Sequence, residues 1–321
     1  MLIYPILGGT LSTLALRLFM DFYSSDKFLQ ILADAYYSGH KNNTEFVRAG
    51  DIVLRLLVVD DRHVILKSTF LDYHIPASSC NVDDCTRSIG YVEHVALGNV
   101  PKDDWFSKQR EDIIPAPYID WALFSNFDAY LEYVTSQQKR LMRDYARRRR
   151  RLSEKFGELS FCMHDDSDDV LPLAREWKTK QIIRTGATNY FDDERNSKFL
   201  SELLRQDLLT CSTLRGGRRL LAVWVGFVHE KKWSGWIFTH DPDEELKKYS
   251  LGHQLLYSMV EHSFASGHQE FDFSIGGEDY KWIYATHARL LGSIGRQKLS
   301  IRLKTHIRSE LKKAVDRKSV V

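Results

Sequence analysis

One continuous segment decides the fold of the second half of the chain: residues 233–277 read WSGWIFTHDPDEELKKYSLGHQLLYSMVEHSFASGHQEFDFSIGG. Its opening run, Trp233–His240, is rich in aromatic and apolar residues and predicts a strand. A polar loop, Asp241–Ser250, leads into a predicted helix over Gly252–Ala265. A short strand at Glu270–Ser274 follows. The junction of strand, loop and helix is the most informative part of this pattern.

The flanking sequence extends this pattern on both sides. Two more strands precede Trp233–His240 and are joined to it by tight turns, which predicts a three-strand antiparallel meander. The other predicted elements of this half are a strand at Leu159–Met163, helices at Leu171–Lys180 and Glu194–Arg205, the meander strands Leu208–Leu214 and Leu220–His229, a helix at Glu278–Tyr284 and a β-rich stretch at Leu290–Leu303. This order predicts a mixed α/β domain.

A long helical pattern separates this domain from the first half of the chain. It runs from Phe127 to about Phe156 without glycine or proline, and Gly157 ends it. Ser125 and Asn126 precede its first residue and suit the capping position of a helix. We expect this helix to bridge the two halves.

The first half of the chain predicts a smaller mixed α/β unit. An amphipathic helix begins after Ser25. Asp51–Asp60 and His63–Tyr73 predict a β-hairpin. The region from about Ala77 to Pro117 is rich in Ser, Asn, Asp and Pro and predicts irregular structure, with one short strand near Tyr91–Leu97.

Composition and charge limit the possible functions. The 321 residues include 43% hydrophobic and 27% charged side chains, which is typical of a globular chain with room for about two domains. A formal net charge of +2 gives no global attraction to nucleic acid or membrane, so a charged partner must bind a local patch. The four cysteines do not form a disulfide framework, and Cys80 and Cys85 lack the further ligands of a zinc site. We therefore expect reduced thiols, no bound metal and a cytoplasmic protein.

The apolar N-terminal segment needs a separate interpretation. Arg17 is its only charged side chain between Met1 and Met20. A spanning helix needs about 20 consecutive apolar residues, and Pro5 and Gly8 interrupt this run. A signal peptide needs a positive region before the apolar run, which is missing here. We expect a strand, a turn and a helix that enter the core, and no membrane span.

The loop before the second-half helix predicts a phosphate site. A helix N-terminus presents N–H groups without intrahelical partners and a partial positive charge. Gly252 allows the backbone to approach a ligand closely, Ser250 is small, and Lys247 and Lys248 add countercharge. The same residues also suit an ordinary N-cap serine beside surface lysines, so both interpretations stay open.

A run of five arginines, Arg147–Arg151, lies near the end of the bridging helix, after Lys139, Arg140 and Arg143. Successive residues of a helix are about 100° apart, so five in a row cover every face and cannot all lie on one solvated stripe. One interpretation is a solvated helix with intramolecular ion pairs. The other is a phosphate-bearing partner such as a nucleotide sugar, CoA or RNA.

Three parts of the sequence carry a resemblance to a known family. They are Tyr249-Ser250-Leu251-Gly252 followed by Leu255-Leu256, the run Phe271-Asp272-Phe273-Ser274-x-Gly276-Gly277-Glu278-x-Tyr280-Lys281, and the basic helix end Arg147–Ser153 ahead of a strand. From about Gln138 to Trp282, the chain resembles the acyl-CoA N-acyltransferases of the GNAT superfamily. Within them it looks most like the CelD-like branch, which is linked to bacterial cellulose and exopolysaccharide synthesis.

The phosphate loop departs from the family pattern. That loop usually reads Arg or Gln, two residues, Gly, one residue, and Gly or Ala. Lys247, Ser250 and Gly252 occupy these positions here, so only the last glycine is kept. Backbone N–H groups remain available for a pyrophosphate at this helix start.

The resemblance implies an α/β fold of tandem GNAT-like halves, mixed sheets flanked by helices, joined by a long basic helix. Residues 1–125 would form a degenerate N-terminal half, 126–157 the bridging basic helix, and 158–321 the C-terminal GNAT acyltransferase domain. The implied activity is transfer of an acyl group from acyl-CoA, with acetyl-CoA as the expected donor and without a metal. The implied acceptor is an amine of an amino sugar or polysaccharide precursor.

Acyl transfer to an amine needs a positioned nucleophile, a base and a proton donor for the leaving thiolate. We expect Asp272, Glu278, Tyr280 and His240 in catalysis, Lys247, Ser250, Leu251, Gly252 and His253 in cofactor binding, and Lys281 and Arg147 in substrate binding. Asp272 and Glu278 are base candidates, Tyr280 is the acid candidate, and His240 is a further base candidate. Structural roles stay open: Asp272 as a cap of the following turn, Glu278 at a helix start, and His240 as a turn residue.

Two other functions remain open at this point. The tandem layout also resembles the Fem-type aminoacyltransferases, whose donor is a charged tRNA, and the arginine run and the altered loop suit such a donor. A non-catalytic module that keeps the fold and binds a biosynthetic partner is the third possibility. The expected partners are therefore a small-molecule or sugar acceptor and, as the second choice, tRNA.

Overall fold

The structure is a computed structural model, and it describes residues 22–49, 52–64, 92–104, 113–186 and 189–294. Several predictions lie outside these residues. They concern the apolar N-terminal segment, Cys80 and Cys85, most of His63–Tyr73, and the chain beyond residue 294.

The helices of the second half follow the predicted order. The helices are α1 (Asp26–Tyr36), α2 (Phe127–Gln137), α3 (Lys139–Phe156), α4 (Val170–Arg184), α5 (Glu194–Arg205), α6 (Leu251–Ala265) and α7 (Asp279–Tyr284), with short 3-10 helices at Phe22–Ser24, Trp121–Leu123, Tyr190–Asp192 and Glu244–Tyr249. Helix α5 has the predicted bounds, and α6 begins one residue before the predicted start.

The strands include the predicted meander. The strands are β1 (Asn42–Ala49), β2 (Ile52–Val59), β3 (Arg62–Val64), β4 (Val92–Pro101), β5 (Ile113–Asp120), β6 (Leu159–Cys162), β7 (Thr210–Gly216), β8 (Arg219–His229), β9 (Lys232–His240), β10 (Glu270–Asp272) and β11 (His287–Ile294). The meander is β7–β8–β9, and its two turns are antiparallel hairpin connections.

Two sheets are present among the described residues. Strands β1, β2 and β3 form a small antiparallel sheet. The other strands form an eight-stranded sheet in the order β4-β11-β5-β10-β9-β8-β7-β6. In it β9 and β10 run parallel, and the other neighbours are antiparallel. The predicted α/β class, a large mixed sheet flanked by helices, is confirmed.

Helices cover both faces of the large sheet because its central strands bury side chains on both sides. On β8, Val223 and Val225 pack in a core with α1, α4 and α5. The intervening Ala222 and Trp224 pack in a second core with α2, α3 and α6. Alternation along one strand therefore joins the two helical layers through the sheet.

Strand β5 differs from the prediction, which placed it in an irregular region because of Pro115 and Pro117. The carbonyl of Pro115 accepts the N–H of Gly276 at 2.8 Å, and that of Pro117 accepts the N–H of Phe273 at 3.0 Å. The missing N–H of each proline therefore faces the side of β10, which is only three residues long and forms few ladder bonds.

Strands β4 and β5 come from the range 1–125 but pair within the sheet of the second half. The division into domains at 125 and 157 stays a prediction.

The bridging helix also differs from the prediction of one continuous helix. Gln138, with φ −143° and ψ 74°, breaks it into α2 and α3. The Gln138 N–H still donates to Val134 O at 3.0 Å, which closes the last turn of α2. The change of direction allows Val134 of α2 and Leu152 of α3 to reach the same core.

Candidate active site

A cavity of about 560 Å³ lies where β9 ends and α6 begins. Helices α4 and α7 complete its wall. The lining residues are Trp177, Lys180, Gln181 and Arg184 of α4, Phe238, Thr239 and His240 of β9, Asp241, Pro242, Glu244, Leu246, Lys247 and Ser250 of the connecting segment, Leu251, Gly252, His253 and Leu256 of α6, and Tyr280 of α7. The strand–loop–helix junction that was singled out in the sequence therefore forms a concave site.

The cavity opens because β9 continues after its parallel neighbour has ended. The pairing of β9 with β10 covers only Lys232–Ser234 against Glu270–Asp272. Ser274, at φ 57°, then turns the chain away, and its hydroxyl donates to Gly235 O. Of the remaining residues of β9, Phe238, Thr239 and His240 line the cavity. Among them, Phe238 O accepts a hydrogen bond from Lys178 Nζ of α4 at 3.2 Å.

The start of α6 forms one wall and carries positive charge. Ser250 adopts the left-handed region, with φ 54° and ψ 56°, and its side chain does not cap the helix. Instead Ser250 Oγ accepts a hydrogen bond from Nη1 of Arg148, which projects from α3. The first N–H groups of a helix lack intrahelical partners. The backbone N–H groups of 251–253 and the Arg148 guanidinium are thus placed to attract an anion.

Gly252 leaves room in the cavity. A Cβ atom at this position would lie 3.2 Å from Phe238 Cζ and 3.7 Å from His240 Cδ2. Any larger side chain would project among these cavity-lining rings. The glycine kept from the family pattern therefore preserves the open space beside the helix start.

His253 is a neutral imidazole in the cavity wall. Its Nδ1 lies 3.1 Å from the hydroxyl oxygen of Tyr284 on α7. Burial lowers the pKa of His253, and the nearby charge of Arg148 lowers it further. Burial raises the pKa of Tyr284, so this phenol keeps its proton. The Tyr284 hydroxyl can donate to Nδ1 or accept from it, and in the tautomer in which Tyr284 donates, Nε2–H is the donor of the imidazole.

Tyr280 and His240 are two further polar side chains of the cavity lining. The Tyr280 ring packs against Phe238 with centroids 5.5 Å apart. Burial raises the pKa of Tyr280, and the charge of Glu278 adds to this effect, so its hydroxyl stays protonated. His240 Nδ1 lies 3.2 Å from the carbonyl oxygen of Asp241. Since a carbonyl only accepts, Nδ1 carries the proton and Nε2 of the neutral ring is free of hydrogen.

The cavity brings together most of the predicted site residues and leaves out four. The residues that line it are His240, Tyr280, Lys247, Ser250, Leu251, Gly252 and His253. Asp272, Glu278, Lys281 and Arg147 are not among its lining residues. Lys247 lines the cavity with its Nζ 2.5 Å from Glu244 Oε2, so part of its charge is neutralised locally.

Asp272, predicted as a base, is buried away from this cavity. Its side chain is 1% exposed, and Oδ2 lies 2.9 Å from Lys232 Nζ and 3.7 Å from Arg289 Nη1. Its Oδ1 accepts the N–H of Ser274 at 2.8 Å. These contacts stabilise the end of β10 and hold the carboxylate, so its placement argues against a role as base at the cavity.

Glu278 and Lys281, predicted as base and substrate ligand, contact each other. Lys281 Nζ lies 2.9 Å from Glu278 Oε2, and it donates to Ile275 O at 2.6 Å and to Ser274 O at 3.2 Å. Gly276 has φ +111°, and a Cβ there would lie 2.4 Å from Glu278 Oε2. We call residues 274–281 the latch, because their contacts close the connection between β10 and α7 and so position Tyr280.

Arg147, predicted to bind substrate, pairs instead with Asp144 at 3.0 Å on the surface. The arginine that reaches the cavity rim is Arg148. The sequence carried a signal for it, because Tyr145, Arg148 and Leu152 are spaced as one helix face and Leu152 is buried. Lys178 was also missed, although it lies midway between the buried residues Ala174 and Ile182 of α4.

Comparison with known proteins supports the superfamily. Residues 139–282 match the family model of the acetyltransferase (GNAT) domain. The match runs from α3 into α7 and includes the elements that form the cavity. The GNAT superfamily predicted from the sequence is thereby supported, whereas the CelD-like branch stays a prediction. None of the curated proteins matches the chain.

Solved structures resemble the chain at low sequence identity. The crystal structure of FemX is 12% identical with a TM-score of 0.50, and the alignment covers 86% of this chain and 91% of FemX. L-PGS from Bacillus licheniformis is 12% identical with a TM-score of 0.45, over 89% of this chain and 96% of that one. A conserved protein of unknown function from Bacteroides thetaiotaomicron is 9% identical with a TM-score of 0.46, over 87% and 95%. The likeness to FemX shows a shared fold.

The described ranges contain neither a candidate membrane span nor a candidate metal site. None of the helices there is long and apolar enough to cross a bilayer. Nor do His, Cys, Asp and Glu side chains form a group of three or more that could hold a metal ion in that part of the chain.

Proposed function

We propose that this protein is an acyl-CoA-dependent N-acyltransferase that transfers an acetyl group from acetyl-CoA to an amine. One observation carries the proposal. The cavity lies at the start of α6, beside the end of β9, inside the segment that matches the GNAT domain. A concave site with convergent polar groups is the default position for a ligand.

The residues present fit a CoA-type donor. The backbone N–H groups of 251–253 and the Arg148 guanidinium would hold its phosphates, with Lys180 and Arg184 of the cavity wall adding positive charge. Gly252 leaves space beside Phe238 for the ligand to pass. Arg148 adds a positive group beside the altered loop, whose first residue, Lys247, is paired with Glu244. The donor supplies an activated thioester, so the protein acts mainly by positioning and proton transfer.

The cavity residues can perform the proton transfers. His240 Nε2, without hydrogen in the neutral ring, accepts a proton from the acceptor amine. Tyr280, held protonated by burial, donates a proton to the leaving group. His253, held by Tyr284, offers Nε2–H as a hydrogen-bond donor. The ion pair of Lys281 with Glu278 in the latch keeps Tyr280 at the wall and does not itself take part in the chemistry.

The acceptor is proposed from the resemblance of the run 271–281 to the CelD-like branch. It is an amine on an amino sugar or polysaccharide precursor. The polar wall formed by Gln181, Asp241 and His240 is compatible with a hydroxylated acceptor. No other feature of the cavity selects among amine acceptors.

Calorimetric titration of acetyl-CoA into the purified chain tests the donor. We expect micromolar binding that is abolished by Gly252→Trp, because the indole would fill the space beside Phe238. Glu261→Trp is the matched control, since Glu261 is an exposed residue of the same helix. Equal binding by Gly252→Trp and the control would contradict the assigned site.

Aminoacyl-tRNA as the donor is the second candidate, favoured by the exposed arginines of α3. If acetyl-CoA fails to bind, tRNA is titrated next at several salt concentrations. Neutral substitutions of Arg143, Arg147 and Arg151, which share one exposed stripe, should then weaken tRNA binding and reduce its salt dependence. This result would replace the acyl-CoA donor in the proposal.

A further inference from the structure

Lys178 is a partly buried lysine beside the cavity that has no part in the proposed proton transfers. It lies on α4, and its Nζ donates to Phe238 O at 3.2 Å and to Gln181 Oε1 at 3.3 Å. Phe238 and Gln181 both line the cavity. The amino group therefore contacts two residues of the cavity wall, on a four-carbon stem with several rotatable bonds.

Two nearby lysines differ from Lys178 in their partners. Lys281, 4% exposed, pairs with Glu278 at 2.9 Å, and Lys180, 57% exposed, pairs with Glu176 at 2.5 Å. No ion pair to Lys178 is found among the residues that the structure describes. Both of its contacts are neutral oxygen atoms, which stabilise an ammonium less than a carboxylate does.

The surroundings of Lys178 favour the neutral amine. Burial lowers its pKa, the charge of Glu278 opposes this effect, and the charge of Lys281 reinforces it. Glu278 raises the pKa of Lys178 only weakly, because its side chain is 58% exposed and forms an ion pair with Lys281. Among these three lysines, the one beside the cavity that has a lowered pKa and no carboxylate partner is the better nucleophile, in contrast to the ion-paired Lys281 and Lys180.

We propose that Lys178 is a self-acylation site, whose amine takes the acyl group of a thioester bound in the cavity. This inference rests on the proposed function, because it requires that the cavity bind an acyl-CoA. It adds an activity toward the chain itself that does not depend on the identity of the external acceptor.

The reaction balances without a further reactant. The lone pair of the deprotonated Nζ attacks the thioester carbonyl carbon, a C–N bond forms, and the C–S bond breaks. The thiolate leaves with the bonding pair and takes up the proton that the nitrogen loses. The products are an Nε-acyl-lysine and free thiol. The modified side chain has lost its charge and keeps one N–H for Phe238 O.

Mass spectrometry of the full chain after incubation with acetyl-CoA tests the inference. Acetylation of Lys178 should proceed at least about tenfold faster than that of Lys180 or Lys281, because a bound donor raises the local concentration of thioester, and Lys180 and Lys281 are held as ammonium groups by Glu176 and Glu278. Gly252→Trp should abolish the modification of Lys178. Acetyl phosphate, which needs no CoA site, should label the exposed Lys180 in preference to Lys178.

The outcomes separate this inference from the proposed function. If calorimetry shows acetyl-CoA binding but Lys178 stays unmodified, the self-acylation site is wrong and the donor site stands. If acetyl-CoA does not bind, the proposed function fails first. Equal labelling of Lys178 and Lys180, insensitive to Gly252→Trp, would indicate surface chemistry and overturn the inference. Lys178→Arg, which keeps the cation beside Phe238, should remove the labelled peptide without unfolding the chain.

Discussion

Two strand–loop–helix connections of this protein contain similar residues but differ in what those residues contact. In the β9–α6 connection, Ser250 at φ 54° turns the chain, and the polar residues around it line a cavity. In the β10–α7 connection, Ser274 at φ 57° turns the chain, and the charged residues that follow bind each other in the latch. In the first connection the polar side chains face a cavity that a ligand can enter. In the second connection the charged side chains bond to each other and to the backbone.

The difference follows from burial. The Lys281 side chain is only 4% exposed, and a buried ammonium is tolerated only when its donors are bonded. The latch meets this requirement with two carbonyls and one carboxylate. The cavity groups face open space, so a ligand can reach them beside internal contacts such as that of Lys247 with Glu244. A run of charged residues that is easily recognised in a sequence can therefore be a structural element, while the less regular loop beside it lines the cavity.

The largest expected effect breaks the latch. Lys281→Met should lower the free energy of unfolding by about 3 kcal/mol, because it leaves the carbonyls of Ser274 and Ile275 without their donor and unpairs Glu278. Denaturant unfolding monitored by circular dichroism measures the loss.

Lys180→Met is the matched control for the latch. Lys180 also pairs with a glutamate on its own helix, but both side chains of that pair are more than half exposed. Its removal should cost about 0.5 kcal/mol or less. Equal losses for the two variants would mean that the latch is no more than another surface ion pair.

The same contrast explains what the sequence could predict. The meander, α5, α6 and the phosphate-type junction follow from apolar spacing and turn residues, which are local signals. The break at Gln138 and the placement of β5 between β10 and β11 depend on contacts distant in the sequence, so local patterns could not show them. Likewise, the pairing of Lys281 with Glu278 and the burial of Asp272 are invisible until the chain has folded. Residue type identified both carboxylates as base candidates, and only burial shows how they are engaged.

A third connection, β6–α4, extends the comparison to pH. Asp165 accepts hydrogen bonds from Ser167, from Thr213 at 2.7 Å and from Arg215 at 2.9 Å. Burial acts to raise its pKa, but these hydrogen bonds together lower the pKa to about 2. Because this value is below that of the unfolded chain, about 3.9, the contribution to stability is present above about pH 4 and is lost as the pH falls toward 2.

Acid unfolding measures the contribution of Asp165. The free energy of unfolding should fall by about 1–2 kcal/mol over this range in the wild type, after allowance for solvent screening. Asp165→Asn should remove this part of the pH dependence. Asp166→Asn, at the exposed neighbouring position, should retain it. An unchanged acid limb in Asp165→Asn would show that this connection is not held by its carboxylate.

The smallest expected effect is a change in the pKa of His253, in the β9–α6 connection. Arg148 bonds Ser250, and its charge helps burial to lower the pKa of His253. Arg148→Met should therefore raise the pKa of His253, measured by NMR titration of the imidazole C–H resonances. Arg147→Met is the control, because Arg147 pairs with Asp144 on the surface and should leave His253 unchanged.

The same titration connects Arg148 to the proposed donor. Acetyl-CoA added to the wild type should also raise the pKa of His253, because phosphate charge beside Arg148 favours the imidazolium. In Arg148→Met this ligand-induced rise should require more acetyl-CoA. If His253 responds to acetyl-CoA but not to Arg148→Met, the anion is bound by the backbone of α6 alone. If neither change moves the His253 pKa, the start of α6 is as closed to ligands as the latch, and the two connections no longer differ in function.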